Sequence, residues 1–514
     1  MKSVRTMSAV MAIALALSAQ VSTQQFGSIS FPTSGAAAAQ EAFLTGVKAL
    51  HNFQFDEAAV AFQQAQKQDP NFALAFWGEA MSHNHPLWAQ QDLDKAKAAL
   101  EKLAPTHDAR LAKAKLPKEK ALLEAMQALY FGPGVKLARD IAYSAAMAKL
   151  YEQWPDDNEV GTLYALSLLG TVRPGDAGYR RQALAASIAE KIFKANPNHP
   201  GAAHFIIHSF DDPDHAPLAL EAANAYAKIA PSAAHALHMP SHIYVQRGMW
   251  PQVVDSNVVA YKAAVDLNAK LKLAEGREDF HTLGWLSYGN LMLGKFDESK
   301  KNVEMAKAAA DRNPASAGIR DGYLSMRARH IQETGQWEKL ALPAAAPMAA
   351  GDHANMPGMN MGPSQGSATW IYIVGVSAAK LGDFATADAA EAQLKAIREK
   401  AQGGPNAYAV RPHTVREKEL GAIVRWAKGQ KEEALGLAKA AVDVEVTMEA
   451  PSGPPDPIMP ALELYGELLA EAGRDKEAAA AFEQSLLRMP NRTPSVKGLA
   501  QVAARVRQSS AARQ

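Results

Sequence analysis

The chain has 514 residues, no cysteine and a formal net charge of +1 at pH 7. That length is too great for one compact core, so the chain divides into several domains or into an array of repeated units. The near-neutral charge gives no electrostatic reason to expect nucleic acid or a charged membrane surface as partner. Without thiols there are no disulfides and no thiolate metal sites, so any metal chemistry must use histidine, carboxylate or methionine.

Lys2 and Arg5 precede an apolar run from Met7 to Leu17, and Leu17-Ser18-Ala19 offers a small-residue cleavage site. This predicts a secretory signal over residues 1–19 and a periplasmic or secreted protein. No later stretch reaches the roughly 18 unbroken apolar residues of a spanning helix, so no integral membrane segment is expected. A polar connector is expected over 20–37, then helical hairpins from 38 to 340. In the first hairpin Gly46, Ala58, Phe62, Ala65 and Pro70 supply small residues where helices touch, an aromatic knob and a helix stop. Between Asp92 and Leu169 the pattern stays helical but the repeat blurs. Clear units resume with Ala185, Ala189 and Pro197, and turn glycines follow at Gly248, Gly294 and Gly335, where φ > 0 is needed.

Residues 341–367 break the array with an Ala/Pro/Gly-rich loop containing HANMPGMNMG. Hairpins return over 368–507, with turn glycines Gly382, Gly429 and Gly473, interrupted by a Pro-rich loop from Met448 to Pro460. Residues 508–514 read as a disordered tail. No strand alternation stands out.

The histidines are concentrated. His199, His204, His208, His215, His235, His238 and His242 are seven of the chain's fifteen. His204/His208 and His238/His242 are each spaced i, i+4, which puts each pair on one face of a helix. The pairs are 34 residues apart, as are His51 and His85. Thirty-four residues is the period of the tetratricopeptide (TPR) repeat, a helix–turn–helix unit. Stacked repeats therefore predict both pairs at one height on neighbouring helices, four imidazoles facing one space. The fold class expected is all-α, a TPR-like solenoid of helical hairpins.

The stretches FPTSGAAAAQEAFLTGVKALHNFQFDEA, FALAFWGEAMSHNHPLW, HPGAAHFIIHSFDDPDHA, HALHMPSHIYVQRGMW and ELYGELLAEAGRDKEA resemble one group of exported bacterial TPR proteins with HxxxH…HMxSH motifs. The likeness covers nearly all of the mature chain and implies fold and export, but no chemistry. In TPR folds the first helix of each hairpin lines the concave groove. The resemblance thus implies that His204, His208, His238 and His242 face inward, with His235 and His281 one turn earlier on their helices and His51 and His85 near the inward end of theirs.

Two functions follow from these residues. The first is a transition-metal site built from His204, His208, His238, His242, His235, His281, His85 and His51, since packed helices can present facing imidazoles to one ion. Asp211, Asp212, Asp214, Glu278 and Asp279 are available to hold the other ring nitrogens. Copper or zinc suits such ligands, and His353, Met356, Met359 and Met361 add a candidate copper loop. Trp77, Trp88, Trp250 and Trp285 could line a pocket, and Glu79 is the one candidate base. No HExxH, GxSxG, P-loop or dinucleotide fingerprint is present, so no catalytic residue is assigned and enzymatic activity stays open. The alternative is a metal-free scaffold that binds a protein or peptide partner in its groove, with Arg416, Glu419, Glu463 and Glu467 available on the outer repeats.

Overall fold

A computed structural model describes residues 25–176, 178–343, 365–404 and 406–511. The predicted signal and the His353–Met361 stretch lie outside them. Helical hairpins follow one another along the chain, from Ala37–His51 with Phe55–Gln68 to Ala461–Glu471 with Asp475–Arg488. The one sheet among the described residues is a two-residue ribbon pairing Asn84–His85 with Gln90–Gln91, which the sequence did not predict. The result is an all-α, TPR-type solenoid.

The repeat residues behave as their chemistry requires. Phe62 lies so close to Gly46 and Gly78 that a β-carbon there would sit 2.8 Å and 2.2 Å from its ring. The aromatic knob thus needs bare backbone on both neighbouring inner helices. Gly248, Gly294, Gly382, Gly429 and Gly473 take positive φ at hairpin turns, as predicted; Gly335 also takes positive φ, but it caps Ala317–Thr334 and residues 336–343 after it are not helical. The blurred region folds as Leu93–Leu103, His107–Lys113, Pro117–Met126, a π-helical turn at Gln127–Phe131, Lys136–Gln153 and Asn158–Leu169.

The connector and the approach to the last helix are anchored where they are described. The supposed connector buries Phe26 and Phe31 in the main core. Ser28 N–H donates to the Asn198 carbonyl at 2.9 Å, and Asn52 Nδ2 donates to the Phe26 carbonyl at 3.1 Å. Tyr226 Oη donates to Asn52 Oδ1 at 2.8 Å, so the first hairpin is pinned to a repeat well over a hundred residues later. At the other end the last helix, Thr493–Ala511, extends into the predicted tail as far as residue 511. Its approach residues are fixed too: Trp250 Nε1 donates to the Asn491 carbonyl at 2.8 Å, and Thr493 Oγ1 to the Met292 carbonyl at 2.6 Å.

Between these contacts lies a salt-bridged core. Arg492, 0% exposed, donates from Nη2 to Glu333 Oε1 at 2.7 Å and Glu463 Oε1 at 2.8 Å. Its Nε reaches Glu463 Oε2 at 3.0 Å and its Nη1 reaches Tyr288 Oη at 3.2 Å. Of the four charged residues expected to face a partner, Glu463 is therefore committed inside the protein. Arg416 pairs with Asp456 and Glu419 is fully buried, leaving Glu467 exposed.

Candidate metal centre

Six histidines come from four helical segments. Pro200–Ser209 carries His204 and His208; Ala234–His238 carries His235 and His238; Pro240–Gln246 carries His242; Glu278–Met292 carries His281 in its first turn. Pro240 cannot donate a backbone hydrogen bond, so the helix is interrupted between His238 and His242, yet both rings stay on one face. The expected set of four imidazoles gains His235 and His281, and its grouping needs correction. The six divide into two triads, His204/His208/His235 and His238/His242/His281, and within each triad the candidate ligand atoms all lie within 4.8 Å of one another. Each i, i+4 pair takes its third member from the first turn of the following inner helix, not from its 34-residue counterpart.

Hydrogen bonds fix the tautomers. His204 Nδ1 lies 2.7 Å from the His51 carbonyl, an acceptor only, so Nδ1–H must donate and Nε2 keeps its lone pair. His238 Nδ1 lies 2.7 Å from Asn257 Oδ1, and Asn257 Nδ2 donates to the Val253 carbonyl at 2.8 Å, which sets the amide's orientation. His242 Nδ1 donates to Asp211 at 2.7 Å and His235 Nδ1 to Glu278 at 3.3 Å. All four rings therefore turn a bare Nε2 inward.

Those bare nitrogens meet: His204 and His235 approach Nε2 to Nε2 at 3.1 Å, as do His238 and His242. His281 Nε2 comes within 2.9 Å of the bare His238 Nε2. Two lone pairs at that separation repel unless a proton or a cation lies between them. A proton on His204, His208, His238 or His281 is disfavoured: burial, then the neighbouring imidazoles, hold the first three well below the ordinary histidine value, and burial brings His281 down to about 4. A metal ion bonded to imidazole at 2.0–2.1 Å in tetrahedral geometry sets its ligand nitrogens about 3.3 Å apart, close to what is seen. His208 Nε2 adds a buried nitrogen with no hydrogen-bond partner.

A third group, His51, Glu159 and His199, has the opposite logic. His199 Nδ1 accepts from the Ala202 N–H at 3.2 Å, so its Nε2–H donates to Glu159 at 3.1 Å, and His51 Nε2 donates to the other carboxylate oxygen at 2.7 Å. Burial raises the Glu159 carboxyl, but the hydrogen bonds of His199 and His51 outweigh it and bring the group down to about 2. These polar atoms are mutually satisfied, so the group is a buried clamp. His51 thus reaches the triads only through its carbonyl. His85 is also outside both triads: its ring stacks on Phe55 at 4.0 Å, and burial takes it to about 4.

The other sequence candidates separate cleanly. Asp211 holds His242, while Asp212 binds His215 at 2.8 Å and accepts the Asp214 and His215 N–H groups as an ordinary turn cap. Asp279 caps Gly276 and Arg277. Burial raises the Glu278 carboxyl, but the His235 hydrogen bond and the charges of His235, His281 and His242 outweigh it, leaving about 2. Glu79 is engaged by Lys102, Gln63 and Gln66, so it is no free base. Trp77 is core, and Trp250 is tied to Asn491.

Trp88, Trp285, His242 and His281 line a cavity of about 400 Å³. Its roof is the Pro-rich loop, which the sequence left without a role. Arg488 donates to the Met448 and Glu449 carbonyls at 3.1 and 3.0 Å, Gln246 to Pro451 at 2.9 Å and Arg329 to Pro455 at 2.9 Å. Gly453 lies against the Trp285 indole, where a β-carbon would come within 2.4 Å. Trp88, His235 and Glu278 also edge a second cavity of about 890 Å³. Sequence reasoning missed Asn257 and the His51 carbonyl, because neither an amide nor a main-chain oxygen announces itself as a partner of histidine.

These hairpins define a TPR-type helical repeat fold. No family model matches the chain, and no curated protein does. Among solved structures it is similar to the TPR domain of P58(IPK), at 13% identity over 92% of this chain and 99% of that one, with a TM-score of 0.24. It is also similar to the Cut9–Hcn1 structure of the APC/C, at 13% identity over 92% and 78% with a TM-score of 0.34. The human IFIT1 dimer with PPP-AAAA gives 10% identity over 89% and 94%, with a TM-score of 0.37. At these scores nothing about ligand or partner carries across. No helix among the described residues is long and apolar enough to cross a membrane.

Proposed function

We propose that this is an exported bacterial TPR protein that holds transition-metal ions, copper or zinc, on two three-histidine sets along its inner face. One observation carries the reading. Four imidazoles give their Nδ1–H to fixed oxygens and turn bare Nε2 atoms on one another in two pairs at 3.1 Å. Imidazole donors suit both metals, and the His353–Met361 stretch favours copper on sequence grounds. Three protein ligands leave an ion an open position, and the 400 Å³ cavity beside His242 and His281 would admit a small molecule to it.

Elemental analysis of protein purified without a histidine tag tests this, beside His208→Ala/His242→Ala. Stoichiometric metal in the wild type and its loss in a folded double variant is the expected result. A chain still metal-free after loading with zinc and copper would transfer the assignment to a scaffold for protein or peptide partners.

The tautomer argument has its own test. Asn257→Leu removes the acceptor that orients His238, and such outer partners are worth about 10–100-fold in metal affinity. Asn257→Asp keeps an acceptor and should retain binding. Equal affinity in all three proteins, measured by competition with a chromophoric chelator, would refute the assignment of His238.

A further inference from the structure

Resting on that reading, we infer that the two triads form one coupled two-ion centre that binds a small anion between the ions. The first support is the chain's own repetition. Each triad is an i, i+4 pair plus a histidine from the next inner helix, so the second ion site is a translated copy of the first. His235 and His238 serve different triads, yet they are three residues apart on one short helix. The two ligand sets are therefore separated by a single helical turn.

The distances say the same. Across the boundary, the rings of His208 and His242 are 6.1 Å apart and those of His235 and His238 are 6.3 Å apart. Within the triads the longest separations are 6.3 Å, His208 to His235, and 6.4 Å, His242 to His281. The boundary is no wider than either set, so the six rings enclose one continuous space.

Charge supplies the occupant. Six neutral imidazoles cancel none of the charge of two divalent ions. The carboxylates at hand, Asp211 on His242 and Glu278 on His235, leave a net positive charge between the ions. A small oxygen or nitrogen donor such as hydroxide or azide matches that space. His208 Nε2, at the boundary with His242, is buried without a hydrogen-bond partner, and His242 and His281 open the same region to the roofed cavity.

Copper(II) and sodium azide are the probes. The metal-free, untagged protein is loaded to two copper(II) ions per chain and its spin is integrated by electron paramagnetic resonance. Exchange through a bridging atom should leave far less than two spins per chain, and azide should titrate as one per copper pair. His281→Gln and His208→Gln, checked for helical content, should each bind one copper with its full spin. Two bound coppers with two full spins and two independent azides would overturn the coupling while leaving the metal sites standing. A chain that binds fewer than two coppers overturns the coupling together with the reading beneath it.

Discussion

Arg492→Met is expected to destabilise the protein by about 3–5 kcal/mol at neutral pH, because it leaves Glu333 and Glu463 buried without their cation. All three side chains are almost wholly shielded from water, so the lost charge cannot be replaced by solvent. Burial already holds the Glu333 carboxyl above its ordinary value with the arginine present. Without it that carboxyl should rise further. A carboxyl whose folded pKa is raised favours the protonated state in the fold, so the penalty is full at neutral pH and fades as the pH falls toward the unfolded value near 4.3. Denaturant unfolding at pH 7 and pH 4.5 checks both parts. A variant equally destabilised at the two pH values would show that lost packing, not unpaired charge, is the cause.

The second large effect is acid lability of the metal-free protein. His281 falls to about 4, and His204, His208 and His238 are also depressed by burial. In the unfolded chain each titrates near 6.5. A histidine with a depressed folded pKa contributes stability that is present above 6.5 and is lost as pH falls through the window down to about 4, since the unfolded chain takes up the proton first. His281 alone accounts for about 3 kcal/mol over that window at 1.36 kcal/mol per unit. Thermal midpoints should therefore drop steeply between pH 6.5 and pH 4.5, and less steeply in His281→Gln. Zinc should flatten the upper part of the curve, because bound imidazoles stay neutral. A metal-free protein whose midpoint is level from pH 7 to pH 5 would contradict the buried, neutral state of these rings.

The hairpins were legible in the sequence because their determinants are local. Phe62 over small residues, turn glycines at fixed offsets and i, i+4 histidine pairs all repeat at one period. The grouping of the histidines was not legible. Positions 34 residues apart are equivalent, but equivalent positions are displaced along the array by a whole repeat, and a neighbouring residue of the next helix fills the gap. That is why His235 and His281 complete the triads while His51 and His85 stay outside. Long-range partners were hidden for a different reason. Phe26, Asn257, Glu333 and Arg492 look ordinary in sequence, and only the path of the backbone brings each to its place.

The contacts that tie residue 28 to 198, 52 to 226 and 292 to 493 have a consequence for the chain's history. Open repeat arrays touch only their neighbours, so they can gain or lose a unit with little penalty elsewhere. Here an added or deleted hairpin within either span would pull Asn52 from Tyr226, or Thr493 from Met292, by the thickness of a repeat. Individual residues are free to drift, but the number of hairpins between these clasps is fixed, as the number of staves is fixed in a closed barrel.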